Sequence, residues 1–305
     1  MKKIGYYFLF ILIFFGCGDE FTDEEEKALK THGNLVKDEV LVKDEVVEDK
    51  LNKKITWKKD GKEMVLIPAG SFEMGDHLDG MGDALPVHTV ELDEFYMDIH
   101  EVTVGEFKLF IDQSGYNYGG NWNHVDKYAP GDDYPMVVVN WEDATAYAEW
   151  VGKRLPTEAE WEYATRGGLV GQRFPWGNDE NWQRDDPVGF PVLARDYANY
   201  DGTGGLDQWG NTTAPVGSFK PNGYGLYDLA GNAQEWCADW YDSNYYRDSP
   251  VNNPLGPNFS PRGLRVLRGG YWINNIDNLR LASRNYSYPS LRTLYDGFRC
   301  VLGSN

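Results

Sequence analysis

The chain has 305 residues with 11 Trp, 20 Tyr and 34 Gly, and a formal net charge of −19. That length fits one large domain or two small ones, and an aromatic share of 15% can fill a sizeable core of short strands and turns. The acidic balance excludes nucleic acid as a partner, since phosphate binding needs basic patches, and it disfavours adhesion of the folded surface to anionic lipid.

Lys2-Lys3 precede an apolar run from Ile4 to Phe15, and Gly16-Cys17 follow. A basic start and an apolar stretch too short to span a bilayer comfortably read as an export signal over residues 1–16. Residues 17–55 are charged and poor in aromatics, and repeat "LVKDEV" at 35–40 and 41–46. This composition suits a flexible or partly helical tether. From residue 56 onward aromatics, Gly and Pro dominate, so the folded domain is expected over 56–305. "MVLIPAGSFEMG" (64–75) predicts two short strands around a turn, and residues 88–103 predict one more. Thr103 and Glu106 form a capping box opening a helix that ends near Gly115, with Val104, Phe107, Leu109 and Phe110 inward. Asn140 caps a second helix over 141–152, with Trp141, Ala144, Tyr147, Ala148 and Val151 on one stripe. Thr157 and Glu160 open a third, which stops at Gly167-Gly168. Residues 170–262 are loop-rich, and a loop region of that length is usually functional or pinned. Cys237 and Cys300 either pair, as exported proteins allow, or sit buried as free thiols.

The amino terminus resembles a bacterial lipoprotein signal, which implies cleavage before Cys17 and lipid on that cysteine. An ordinary signal cut elsewhere is the alternative. Further on, "PMVVVNWEDATAYAEWVGKRLPTEAEWEYATRGG", "FPWGN", "APVGSFKPNGYGLYDLAGNAQEWCADWY" and "RVLRGGYW…GFRC" resemble the sulfatase-modifying, formylglycine-generating enzyme domain over roughly residues 62–302. The resemblance implies an α+β domain of the C-type lectin fold in its formylglycine-enzyme variant. Such a domain has a small twisted antiparallel sheet, two to three helices and much irregular loop. Fold alone does not imply activity. Formylglycine-generating members place two cysteines just after the Gly-Gly-Ser-Tyr type motif. These bind copper and activate oxygen, chemistry that needs soft thiolates. Counted from Gly269-Gly270, those positions hold Asn274 and Leu279, so neither the activity nor a catalytic cofactor is expected. An iron-dependent sulfoxide synthase relative would need a His-rich facial site. His32, His77, His88, His100 and His124 lack the His-x3-His-x-Glu type of spacing.

The stretch 268–299 combines a fixed frame with loosely chosen side chains. Arg268, Gly269, Gly270, Trp272, Leu279, Arg280, Arg284, Asn285, Pro289, Arg292, Gly297, Phe298 and Arg299 form the frame. The loose positions are Tyr271, Ile273, Asn274, Asn275, Ile276, Asp277, Ser283, Tyr286, Ser287, Tyr288, Ser290, Leu291, Thr293, Leu294, Tyr295 and Asp296. From 271 to 296 there is no Lys, Glu, Gln or Met. Asn, Tyr, Asp, Ser, Thr, Ile and Leu are all reachable from an AAC or AAT codon by changing adenines alone. The four missing types would need a purine in the third position. This pattern resembles the variable region of retroelement-diversified proteins, which display such residues on a C-type lectin scaffold. A site that accepts many side chains cannot lie in a packed core, where one methylene is felt. The loose positions are therefore expected to face solvent, and to capture a protein or other macromolecular ligand at the cell surface with a palette of Tyr, Ser, Asn and Asp.

The family resemblance also implies structural calcium. An "N-x-x-G-x-A-x-E" run falls on Asp228, Gly231, Ala233 and Glu235, whose oxygens suit a hard cation. A second set falls on Asn199, Tyr200, Asp207 and Trp209. The expected whole is a ligand-binding lipoprotein, held by lipid and displayed from the bacterial outer membrane or cell surface. An enzyme of altered chemistry, or a structural envelope lipoprotein resembling gliding-motility components, is the alternative.

Overall fold

The computed structural model describes residues 40–43, 46–49, 54–178, 194–201 and 207–303. Cys17 and the expected signal lie outside the described residues. Val40–Lys43 (β1) and Val46–Asp49 (β2) form an antiparallel hairpin, and β2 pairs with Lys54–Trp57 (β3). The tether expected to reach residue 55 therefore gives way to sheet from Val40. The repeated valines suit a pleated backbone better than a tether.

Glu63–Ile67 (β4) and Gly70–Met74 (β5) flank Pro68-Ala69 as expected. Residues 88–103, read as one strand, instead hold two, His88–Leu92 (β6) and Phe95–Asp98 (β7). They separate because they serve different sheets: β6 pairs with β5, while β7 lies between β4 and Val301–Leu302 (β12). One sheet runs β1-β2-β3-β4-β7-β12. A second joins Asn285–Ser287 (β10), Arg265–Arg268 (β9), Gln234–Trp240 (β8) and Asp296–Gly297 (β11) in that order. Its β11–β8 pair is parallel and its other pairs are antiparallel.

The helices follow their caps. Val104–Ser114 (α1), Trp141–Val151 (α3) and Glu158–Arg166 (α4) each start at a complete capping box and end at a left-handed glycine, Gly115, Gly152 and Gly167. Leu109, expected inward, is exposed, because Val104, Phe107 and Phe110 set the buried face of α1. A fourth helix, Trp122–Tyr128 (α2), exceeds the expected two to three. It is short, buries only Val125, and so carries almost no periodic signal. No described helix is long and apolar enough to cross a membrane.

Phe107, Tyr147 and Phe298 meet in the main core. Phe298 lies 5.4 Å from Tyr147 and 6.4 Å from Phe107, ring centre to ring centre. The end of the chain is thus clamped between α1 and α3. Cys237 and Cys300 are both buried and free, and burial pushes both thiols up.

Candidate functional site

The frame of the 268–299 stretch is held from beneath by charge. β9 leads into Gly269 and Gly270, both at positive φ. A Cβ on Gly270 would lie 2.8 Å from Leu279 Cδ2 and 2.9 Å from the Asn278 carbonyl, so only glycine fits. Arg268 is fully buried and donates to Glu162 Oε2 (2.6 Å) and to the carbonyls of Leu281 (2.7 Å) and Ser283 (2.9 Å). Arg284 grips both oxygens of Glu158 (2.7 and 2.8 Å) and the Asp83 carbonyl (2.6 Å). Burial alone would lower the Arg284 pKa, but Glu158 outweighs it and holds the guanidinium above its ordinary value. Glu162 shows the converse. Burial raises its carboxyl, and the Arg166 and Arg268 charges more than reverse this. Arg299 takes both oxygens of Glu235, while Arg292 takes both of Asp143. Arg280 bridges Asp79 (3.2 Å) and Asp277 (2.5 Å). These arginines lock the segment by multidentate hydrogen bonds. Their acidic partners on α4, Glu158 and Glu162, are buried and carry no signal of their own in the sequence.

The loose side chains mostly occupy the other face. Ile273, Asn275, Asp277, Tyr286, Tyr288, Ser290 and Leu291 are exposed. Tyr271, Asn274, Ile276, Ser283, Ser287, Thr293, Leu294 and Tyr295 are half-buried. Tyr271 and Tyr295 stack at 3.9 Å with their planes 7° apart. Tyr286 rests on Tyr241 at 4.3 Å, with the Arg262 guanidinium 5.7 Å over its ring. A hydrogen-bond chain ties these two tyrosine groups together. Asn285 donates to Gln234 Oε1 (2.9 Å), and Gln234 Nε2 donates to Asp296 Oδ1 (2.6 Å). Asp296 corrects the expectation of a solvent-facing slot, because it is wholly buried as the β11 partner of Gln234. Burial pushes its carboxyl up to about 6, against the pull of the Gln234 and Thr293 hydrogen bonds. Trp272 packs inward as expected, stacked 5.8 Å from Tyr128.

The two positions where the resemblance calls for thiolates do come together. Asn274 Oδ1 and Leu279 Cδ2 both approach the place of a Gly270 Cβ, at 3.2 and 2.8 Å. They bring an amide and an isobutyl group. Asn274 Oδ1 is already engaged by the Tyr271 N–H at 3.0 Å, and Leu279 is buried. Neither side chain can bind a soft metal as a thiolate does. Among the described residues, no group of three or more His, Cys, Asp or Glu is arranged to hold a metal. His100 is held neutral, its pKa lowered to about 3 by burial and the Lys62 charge.

The oxygens nominated for calcium fall into two groups. Glu235 is spent on Arg299 and on the Trp161 indole N–H (2.8 Å). Asp228 Oδ2 accepts from the Gly217 N–H (2.6 Å), while its Oδ1 is buried without a hydrogen-bond partner. The buried Glu101 carboxyl, which the sequence does not mark, faces that of Asp228, so the two carboxyls share one site. Burial pushes the Asp228 carboxyl up to about 6. The first set therefore offers at Asp228 a carboxyl that faces Glu101, and a closed one at Glu235. In the second set, Arg195 forms an ion pair with Asp207 Oδ2 (2.7 Å) and donates to the Tyr200 carbonyl (2.7 Å). Trp209 donates its backbone N–H to Asp207 Oδ1 (2.9 Å), and Asn199 Oδ1 is buried without a hydrogen-bond partner. A guanidinium thus stands where a cation would, holding Asp207 and the Tyr200 carbonyl of this set, and Asn199 Oδ1 alone stays open.

Residues 50–303 match the sulfatase-modifying factor enzyme 1-like domain. The chain is 36% identical over 289 aligned residues to the formylglycine-generating enzyme of Streptomyces coelicolor, covering 78% of this chain and 88% of that protein. It is 37% identical to the serine/threonine-protein kinase pkn1 of Chlamydia pneumoniae over 80% of this chain, but spans only 38% of that protein's length. Among solved structures, PvdO from Pseudomonas aeruginosa aligns with a TM-score of 0.67 at 32% identity, covering 81% of this chain and 96% of that one. Treponema denticola variable protein 1 aligns with a TM-score of 0.59 at 24% identity over 79% and 95% of the two chains, a likeness of fold. The α+β architecture is that of the formylglycine-enzyme variant of the C-type lectin fold.

Proposed function

The chain belongs to the sulfatase-modifying factor enzyme 1-like family, and from that premise we propose that it is a ligand-binding member without formylglycine-generating activity. Its binding site is the outward face of residues 271–295. The observation that carries the reading is the division of one segment into two sides. Arginines and Trp272 hold the underside, while Ile273, Tyr286, Tyr288 and Leu291 stand exposed above it. Tyrosine brings large contact area at low entropic cost, and a pinned backbone limits the ordering that binding requires. The spread of these side chains suits a macromolecular partner, since standard protein interfaces need a broad patch. The missing residue types point to diversification by adenine mutagenesis. Lipid on Cys17 would hold the chain at the membrane, and structural calcium would sit at Asp228.

The nucleotide sequence tests the proposal. Codons for the loose positions should end in C or T and differ from a nearby template repeat only at its adenines. Purine third bases, or changes at other template bases, would rule diversification out. The 36% identity to a formylglycine-generating enzyme favours a second reading, an enzyme of altered chemistry. Incubation with copper, oxygen and a cysteine-containing sulfatase peptide separates the two. The expected result is an unchanged peptide mass; conversion of its cysteine to formylglycine would overturn the non-catalytic reading.

A further inference from the structure

The second set of nominated calcium oxygens encloses an arginine, and this disagreement with the family pattern has its own structural meaning. Arg195 and Asp207 are both buried, with side-chain exposures of 7% and 0%. A buried carboxylate needs a paired charge, or its desolvation goes uncompensated. Asp207 finds that charge 2.7 Å away, on Arg195. The same guanidinium donates to the Tyr200 carbonyl at 2.7 Å and lies 5.6 Å from the Tyr200 ring. Asp207 completes the bracket by accepting from the Tyr200 N–H at 3.2 Å and the Trp209 N–H at 2.9 Å. One side chain thus ties together two stretches of backbone that a calcium ion would otherwise tie.

The bracket sits under the candidate binding face. The Asp201 N–H donates to the Asn274 carbonyl at 2.9 Å. The Asn199 carbonyl accepts from the Asn232 N–H at 2.9 Å, and the Asn232 carbonyl accepts from the Trp272 N–H at 3.0 Å. The strand-like contact between Asn199 and Gly231 leaves no room for a side chain, because a Cβ on Gly231 would fall 2.1 Å from the Asn199 carbonyl. Whatever fixes residues 199–201 therefore also fixes the backbone at Trp272 and Asn274.

We propose that Arg195 is a built-in cation standing in place of calcium between Tyr200 and Asp207, so that the support under Trp272 and Asn274 is independent of calcium. The inference concerns the scaffold and holds whether or not the face above it binds a ligand. Both Asp207 oxygens already have partners, Arg195 and the Tyr200 N–H at Oδ2 and the Trp209 N–H at Oδ1, and a covalently attached charge costs no ion-binding entropy.

Calorimetric titration of the full chain with calcium chloride, with melting measured in calcium and in EDTA, tests this. Asp207→Asn in the wild-type background should leave the number of calcium ions bound unchanged. Arg195→Gln should lower the melting temperature in EDTA by roughly 5–10 °C, the scale for opening a buried ion pair in a domain of this size. It should also gain one calcium ion, and adding Asp207→Asn should remove that ion. A wild-type calcium ion lost on Asp207→Asn would overturn the proposal, and so would an Arg195→Gln protein that folds and gains none. If Arg195→Gln does not fold in EDTA, recovery of its fold by calcium but not by magnesium supports the proposal, and failure of both ions counts against it.

Discussion

The two faces of the 268–299 segment share one backbone and follow opposite rules. Underneath, Arg268, Arg284 and Arg299 are buried against Glu162, Glu158 and Glu235 with hydrogen bonds of 3.0 Å or less, and Arg268 also lies 3.5 Å from Glu158. Above, Ile273, Tyr288 and Leu291 are about half exposed, at 52%, 54% and 49%. A side chain on the underside is fixed by charge and geometry, because its removal strands a carboxylate in low dielectric. A side chain on the upper face is bounded mainly by water. Under the proposed reading, that separation lets the surface chemistry vary while the path of the segment stays fixed. Substitutions that treat the two faces alike offer the means to break the comparison.

The largest effect is expected underneath. Arg284→Ala strips buried Glu158 of its bidentate partner, leaving it only Arg268 at 3.5 Å, and should cost about 3 kcal/mol. Phe298→Ala opens a cavity between α1 and α3 and should cost a similar amount, about 3–5 kcal/mol. Urea unfolding followed by near-ultraviolet dichroism measures both. Losses below about 1 kcal/mol would mean that the underside does not hold the segment.

The next effect belongs to Asp296, which sits at the boundary between the faces. Its folded pKa is raised, by burial, to about 6 from an ordinary 3.8. A raised carboxyl pKa contributes stability that is complete below about pH 3.8 and is lost as the pH rises through about 6. Wild type should therefore lose roughly 2–3 kcal/mol relative to Asp296→Asn between pH 4 and 7. The variant keeps the acceptor for Gln234, so the difference between the two unfolding curves isolates the charge. A flat difference across that range would place Asp296 in water, with the loose positions.

On the upper face, Tyr288→Ala should change stability by about 0.5 kcal/mol or less. Tyr286→Ala should cost up to about 1 kcal/mol, because its ring rests on Tyr241. Thermal melting of these variants beside Arg284→Ala sharpens the contrast. Equal destabilisation on the two faces would end the distinction between frame and slot.

How far this contrast could be read in advance depended on the range of the interactions. The capping boxes at Thr103, Asn140 and Thr157 are local, three residues from cap to partner, and their helices begin where the sequence places them. The arginines of the frame were legible as anchors, but their partners were not. Arg284 reaches Glu158 across 126 residues and Arg268 reaches Glu162 across 106. Nothing in a single sequence pairs charges at that distance. Asp296 was misplaced for a related reason. Its residue type matches the loose positions, while its burial comes from parallel pairing with Gln234, 62 residues away. Arg195 carries no sequence signal either, because only the fold brings Asp207 and the Tyr200 carbonyl around it.

The last effect is a coupling between two slots, and it asks whether they are independent of one another. Tyr271 and Tyr295 come from opposite ends of the segment, yet their rings lie nearly parallel at 3.9 Å. Burial and the neighbouring Tyr271 both raise the Tyr295 hydroxyl pKa, as expected for two phenols sharing a partly dry site. If the positions were free of each other, Tyr271→Ser and Tyr295→Ser would add in stability. A stacked pair should instead couple by about 0.5–1 kcal/mol, toward the lower end for aromatic pairs because both rings are half-buried. A double-mutant cycle by chemical denaturation reads this term directly. Coupling of that size would mean that the upper face is partly organised before any ligand arrives, with one pair of slots chosen together. Additivity within error would mean that each slot varies alone, and that the rigidity of the site comes entirely from the arginines beneath it.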